Sequence, residues 1–295
     1  MDISEKWFAI INPAAGSGRG LAHWPWISKL LRDNGVIPDY AFTEHKYHAT
    51  ELVVSAVTQG YRKIISIGGD GTLHEIINGI FIQNIVPSTE LVIGVIATGT
   101  GTDWIRKDQA KKYPDAVRAI AAGYSMPHDI GRVSYHKANY KQYRYMANMA
   151  GIGMDAYIVK RNNRLRESGR KHSAVFIWKT IKSILRYRPT GVRIWVDGKL
   201  VIKELIFGAA IGLGGLNGII PDRMPFAVAD DGLFDITILR RISKLRAISR
   251  LKKFYNGRIY EQEKASHLRG KAIYIESRPE IGLEVDGEML GYTPF

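Results

Sequence analysis

Three glycine-containing loops, each directly behind a short apolar run, are the part of this sequence best suited to chemistry. Asn12-Pro13-Ala14-Ala15-Gly16-Ser17-Gly18-Arg19-Gly20 follows Trp7 to Ile11, Gly68-Gly69-Asp70-Gly71-Thr72 follows Lys63 to Ile67, and Gly99-Thr100-Gly101-Thr102-Asp103 follows Leu91 to Ile96. Glycine lets backbone N–H groups come close to a phosphate, and the helix start behind each loop adds partial positive charge. Together the loops predict a triphosphate cradle at the carboxyl ends of strands, where open α/β sheets bind ligands. None has the P-loop or the Rossmann spacing, so the cradle is of another kind.

A carboxylate in a phosphate loop repels its ligand unless a cation lies between them. Mg²⁺ takes one or two carboxylates together with phosphate oxygens, and Asp70 and Asp103 are the candidates. Asp103 also suits a helix cap before Trp104. His45 and His48 stand three apart with no third metal ligand evident in the sequence, and read as surface histidines.

Parallel strands with crossover helices must position these loops. Apolar periodicity predicts helices at Leu21 to Asp33, Ala49 to Gln59, Leu73 to Ile80 and Pro114 to Ala122 between the three strands. Gly123 and Pro127 punctuate the chain near Tyr124 to His128. Beyond that boundary the pattern turns β-rich. Val192, Ile194, Val196 and Val201, Lys203, Leu205, Phe207 flank Asp197-Gly198, the signal for a tight hairpin. Further strands are expected at Tyr143 to Asn148, Phe234 to Leu239, Ala272 to Ile275 and Leu283 to Asp286, with a glycine-rich loop at 212–218. The expected architecture is an α/β N-terminal domain with a parallel sheet (1–125, which residues 289–295 could rejoin) and a β-sandwich-like C-terminal domain (126–288).

Composition sets the outer bounds. With 295 residues, 45% hydrophobic and 24% charged, the chain can build one large or two ordinary cores, which excludes fibrous and disordered classes. Absence of cysteine removes disulfides, zinc–thiolate clusters and a cysteine nucleophile. The acidic start Met1-Asp2-Ile3-Ser4-Glu5-Lys6 argues against a signal peptide, and no apolar run approaches a membrane span. The net charge of +14 is concentrated in two segments: residues 160–190 hold ten Lys or Arg against one acid, and 240–258 hold eight against none. Ala174, Ile177, Trp178, Ile181, Ile184 and Leu185 recur at helical period, as do Leu245, Ile248, Leu251 and Tyr255 behind a cap at Ser243. Such basic amphipathic helices either cover an ordinary core or attract anionic lipid headgroups. Without zinc-finger, RRM or repeat signatures, nucleic acid is not an expected partner.

Gly68-Gly-Asp-Gly-Thr-Leu-His-Glu-Ile-Ile-Asn-Gly79 resembles the GGDGT motif of the diacylglycerol kinase catalytic-domain family, which includes bacterial lipid kinases and sphingosine kinases. Asn12-Pro13 with its glycines is similar to the family's first nucleotide loop, and Thr43 falls at its nucleotide-contacting threonine. Gly99 to Asp103 resembles the family's G-T-x-N-D loop, with Thr102 in place of Asn and Ala97-Thr98 in place of a proline-bearing approach. His128-Asp129-Ile130-Gly131-Arg132 resembles the start of its second domain, Ala229-Asp230-Asp231-Gly232-Leu233 its D-G-L loop, and Val285-Asp286-Gly287-Glu288 its D-G-E motif. NAD kinases and 6-phosphofructokinases share GGDGT, whereas D-G-L and D-G-E narrow the match.

The resemblance implies ATP in a cleft between the domains, bound by Asn12, Pro13, Gly16, Thr43, Gly68, Gly69, Asp70, Gly71, Thr72, Leu73, His74, Thr100 and Asp103, with Mg²⁺ on Asp70 and Asp103. It implies a second, structural Mg²⁺ held by the Asp231 carboxylate and the carbonyls of Val228 and Leu233, with Asp230 and Asp235 close enough in sequence to compete for these roles. The D-G-E segment would supply the base, Glu288, with Asp286 as partner or substitute. Two apart in one strand, the two carboxylates would share a face; alternatively Asp286-Gly287 is a hairpin turn. The expected reaction is ATP-dependent phosphorylation of diacylglycerol or a related lipid alcohol, at the cytoplasmic membrane face, reached through segments 160–190 and 240–258. The competing expectations are an NAD kinase and a catalytically silent, nucleotide-dependent membrane adaptor. The sequence leaves the lipid and the oligomeric state open.

Overall fold

The computed structural model describes residues 2–98, 113–137, 140–166, 173–213, 227–249 and 265–295. Thr100 and Asp103, with the rest of their loop, lie outside these residues. So do 167–172 and 250–258 of the basic segments, and Gly214, Gly215 and Gly218. The chain forms two compact units, Met1–Pro127 and His128–Phe295.

The first unit is a four-stranded parallel sheet in the order β2-β1-β3-β4, built from β1 (Trp7–Ile11), β2 (Asp39–Phe42), β3 (Lys63–Gly68) and β4 (Val92–Ala97). Alternation along each strand supplies two cores. Ala9, Ile11, Ile65 and Ile67 face α1 (Ala15–Asp33) and α4 (Tyr113–Ala122), where they pack on Trp24, Ile27, Leu31, Val117 and Ile120. Ile10 and Ile64 face α2 (His48–Thr58) and α3 (Asp70–Ile82), on Val53, Val57, Ile76 and Ile80. The helices of the periodicity reading all form. All four begin earlier than expected, α2 and α4 by a single residue and the other two by more, because α1 absorbs the first glycine loop and α3 starts at Asp70.

The second unit is an antiparallel, β-sandwich-like sheet. Its strands are β5 (Gly131–Lys137), β6 (Tyr140–Met146), β7 (Met149–Gly153), β8 (Thr190–Val196), β9 (Lys199–Gly212), β10 (Phe234–Arg240), β11 (Ala265–Gly270), β12 (Ile273–Arg278), β13 (Gly282–Val285) and β14 (Glu288–Tyr292). The main path runs β11-β10-β9-β7-β13-β14-β5-β6, and β8 pairs with β9 and β12. Asp197-Gly198 forms the expected turn, both residues at positive φ. Residues 289–292 belong to β14 of this unit. α5 (Met154–Arg166), α6 (Ser173–Arg186) and α7 (Lys244–Ser249) complete it, with Met154, Ile184, Tyr187, Phe207 and Ala247 in a shared core. Ser243 Oγ caps α7 by accepting the Arg246 N–H. No helix among the described residues is long and apolar enough to cross a membrane.

The apolar stripe read on α6 is wider than its buried face. Ile184 is buried, but Trp178 and Leu185 are exposed, as is Leu245 on α7.

Candidate active site

In a parallel sheet all strands end on the same edge, and the register Ile11↔Ile67 and Gly68↔Ala97 aligns the ends of β1, β3 and β4. The loops behind them meet in specific contacts. Asn12 Nδ2 donates to Thr72 Oγ1 at 3.0 Å, joining the first loop to the second. The Thr98 N–H donates to the Gly68 carbonyl at 2.9 Å, stitching the approach to the third loop onto β3 without the family's proline. The Thr43 N–H donates to the Ile11 carbonyl at 2.8 Å, which sets Thr43 on the same edge.

Glycine is required where these loops touch. Gly16 has φ +62°, and a Cβ there would stand 2.1 Å from the Thr98 carbonyl oxygen. A Cβ on Gly20 would meet the Asn12 carbonyl oxygen at 1.9 Å. Gly16, Ser17 and Gly18 all hold left-handed backbone, turning the chain sharply before the regular part of α1.

Arg19 is a candidate site residue that sequence reasoning missed. Its Nε donates to the Gly16 carbonyl at 3.1 Å, while Nη2 is buried with no hydrogen-bond partner among the described residues, as is Thr98 Oγ1. A buried orphan guanidinium N–H beside an orphan hydroxyl is costly unless an acceptor occupies the space. A phosphate oxygen supplies that acceptor, so the residues present fit a polyphosphate. Asp70, the first residue of α3 beside these loops, offers the hard oxygen that Mg²⁺ prefers. Leu73 and His74 are 2% exposed, so their side chains are buried within this unit. His74 is held within α3 by Asn78, whose Nδ2 donates to the His74 carbonyl at 2.8 Å.

His45 and His48 do acquire a third neighbour, Glu51, one turn further along α2. The imidazoles are stacked with planes 8° apart, so their in-plane lone pairs do not converge on one ion. His48 Nδ1 moreover accepts the Glu44 N–H at 3.0 Å.

In the second unit the D-G-E motif is a turn. Asp286 (φ +48°) and Gly287 (φ +86°) link β13 to β14, and Val285 pairs with Glu288. The shared-face expectation is therefore corrected, because Asp286 lies in the turn and only Glu288 lies in a strand. Asp286 Oδ2 accepts the Ala147 N–H at 2.9 Å, and Oδ1 accepts those of Asn148 and Met149 at 2.9 and 3.1 Å. Both oxygens are used to hold backbone. Glu284, another carboxylate missed in the sequence, is buried, and its Oε2 accepts the Gly287 N–H at 3.0 Å. Two acids thus fix the turn, and half-buried Glu288 opens β14 beside it.

The D-G-L loop meets the start of the second unit. The Asp129 N–H donates to the Ala229 carbonyl and the Gly232 N–H to Asp129 Oδ2, each at 2.6 Å. Asp231 Oδ1 accepts the Leu233 N–H at 3.0 Å, and Oδ2 pairs with Arg269 Nη2. Arg269 Nε reaches Asp235 Oδ2 at 3.2 Å, and His267 bonds the other oxygen of that fully buried carboxylate. The hydrogen bond to Asp231, with the charge of Asp235 behind it, raises the Arg269 pKa above its ordinary value. An Asp231 whose two oxygens are taken, one by a fixed cation, does not fit the structural Mg²⁺ that the resemblance implies on Asp231, Val228 and Leu233.

Glycine loops at the strand ends of a parallel sheet, followed in the chain by an antiparallel sheet with an Asp-Gly-Glu turn, define a GGDGT-type kinase. Residues 6–133 match the diacylglycerol kinase catalytic domain, and residues 148–295 match the YegS C-terminal NAD kinase beta sandwich-like domain. The chain belongs to the diacylglycerol kinase catalytic-domain family and is a kinase. It is 26% identical over 287 residues to a diacylglycerol kinase of Mycobacterium tuberculosis, covering 95% of this chain and 87% of that one. It is 28% identical over 293 residues to a diacylglycerol kinase of Staphylococcus aureus, covering 97% and 86%. The fold is that of a diacylglycerol kinase crystal structure from Bacillus anthracis, with a TM-score of 0.71 and 23% identity over 98% of this chain and 92% of that one. A yeast NADH kinase structure is more distant, with a TM-score of 0.52 and 11% identity over 97% of this chain and 76% of that one.

Proposed function

We propose that this kinase transfers the γ-phosphate of ATP to the hydroxyl of diacylglycerol or a related lipid alcohol. The observation that carries the reading is the strand-end cradle, where Gly16 and Gly20 leave no room for a side chain and buried Arg19 Nη2 and Thr98 Oγ1 await an acceptor. Phosphoryl transfer asks the protein mainly for positioning and charge neutralisation. Asn12, Thr72 and the N–H groups of the glycine loops orient the phosphates, Thr43 and Thr100 line the nucleotide, and Arg19 pairs with a phosphate oxygen. Mg²⁺, held by Asp70 and Asp103, would neutralise charge developing on the transferred group.

Glu288 is the base that takes the proton from the acceptor hydroxyl, and Asp286 holds the turn that aims it. The lipid is reached from a membrane surface. Exposed Trp178, Leu185 and Leu245, set among exposed Lys182, Arg186, Lys244 and Arg246, combine an interfacial aromatic with cations for anionic headgroups. On this reading the enzyme works peripherally at the cytoplasmic leaflet, and these exposed apolar and basic side chains support that reading.

The test incubates purified protein with γ-labelled ATP, Mg²⁺ and a panel of lipid alcohols in anionic mixed micelles, then separates the extracted lipids. A labelled phospholipid that depends on one acceptor is expected. Label transferred to NAD in detergent-free buffer, with none in any lipid, would sink the proposal.

A further inference from the structure

We infer that Arg269 is the built-in cation of the D-G-L loop, pinning residues 229–235 without a divalent ion. Its placement follows from strand register. Arg269 on β11 lies directly across from Asp235 on β10, so cross-strand pairing delivers the guanidinium to a carboxylate that is completely buried. The planar fork then bridges two acids: Nε meets Asp235 Oδ2 and Nη2 meets Asp231 Oδ2. The rest of the loop is also satisfied internally. Asp231 Oδ1 receives the Leu233 N–H, and Asp129 receives the Gly232 N–H while donating its own to Ala229.

A divalent ion on Asp231 would have to displace the guanidinium or sit within a few ångströms of its fixed positive charge. The second arrangement is repulsive, and the first strips the buried Asp235 of a partner. A lysine is a poorer replacement for Arg269, because its ammonium is a single point charge without the spaced, planar donors that reach Asp235 and Asp231 at once. Arg269 is thus a positioning residue for the loop, and its role is independent of which acceptor the kinase uses.

The experiment uses the full chain without nucleotide. Mn²⁺ binding is followed by electron paramagnetic resonance, and thermal unfolding is followed in EDTA and in millimolar Mg²⁺. The wild type is expected to lack any Mn²⁺ site that Asp231→Asn removes, and to unfold at the same midpoint in both buffers. Arg269→Gln should lower that midpoint by several degrees. Should that variant fail to accumulate as folded protein, Arg269→Lys, which keeps the charge and loses the fork, is expected to show the same direction. A wild-type Mn²⁺ site lost in Asp231→Asn, a wild-type midpoint that falls on chelation, or an unchanged midpoint in the Arg269 variants would each overturn the inference.

Discussion

Asp286 Oδ1 accepts the backbone N–H of Asn148 at 2.9 Å, across 138 positions of sequence. This bond, with its neighbours to Ala147 and Met149, ties the β13–β14 turn to the segment between β6 and β7. Removing the carboxylate strands three N–H groups, each bonded to a charged acceptor. Asp286→Ala should therefore destabilise the protein by about 3 kcal/mol, measured by urea unfolding, with activity lost in proportion to folded structure.

Glu288 separates from Asp286 in the opposite sense. Glu288→Gln keeps size and hydrogen bonding but removes the base, so turnover should fall at least ~100-fold while the unfolding midpoint stays unchanged. Initial rates with saturating ATP and lipid, beside a thermal melt, check both halves.

The glycine loop offers a contrast within three residues. Gly16→Ala adds a Cβ against the Thr98 carbonyl in left-handed backbone, so it should cost more than about 2 kcal/mol and abolish nucleotide binding. Gly18→Ala, at φ +90° with nothing within 4 Å of the new carbon, should cost only about 1–2 kcal/mol and leave binding measurable. Calorimetric titration with ATP on both variants decides.

Arg19→Gln removes the buried guanidinium without enlarging the loop. The expected result is a nucleotide affinity weaker by ~10- to 100-fold with thermal stability unchanged, read by the same titration.

Among the described tyrosines, alkaline titration should find Tyr61 and Tyr187 to be the two shifted furthest above the ordinary range. The bond to Asp39 pushes the Tyr61 pKa up to about 12, and burial does the same for Tyr187. A raised tyrosine pKa means that the fold prefers the neutral phenol. Its stabilisation is complete below pH 10 and lost as pH climbs from 10 towards 12. Tyrosinate absorbance at 295 nm should show both, and Tyr61→Phe and Tyr187→Phe should each delete one.

Much of the first unit was legible because its signals are local. Strand alternation, helix period and glycine clusters lie within single windows, and a parallel sheet then brings the loops to one edge by construction. The Asp-Gly signature was equally plain at Asp197-Gly198 and Asp286-Gly287, and both are hairpin turns. At the second, attention to the motif's chemistry favoured a continuous strand over turn geometry. What stayed hidden depends on non-local register. Nothing near Arg269 announces that β10 and β11 will set it opposite Asp235, and Asp129 finds Gly232 across 103 positions. Arg19 was passed over because a cation inside a glycine run has no periodicity to mark whether it points inward.

Among the described strands, the β5–β6 hairpin joins its sheet through β14, by the pairing of His136 with Tyr292. On the ribosome, that early hairpin must therefore wait with an open edge until about 150 further residues have been synthesised. The strand that ends the wait begins with Glu288, so a nascent chain acquires its proposed base and the seam that seats this hairpin in the same event. Non-local closure of this kind makes for slow folding and prolonged exposure of β-edges, which marks the unfinished second unit as a client for chaperones.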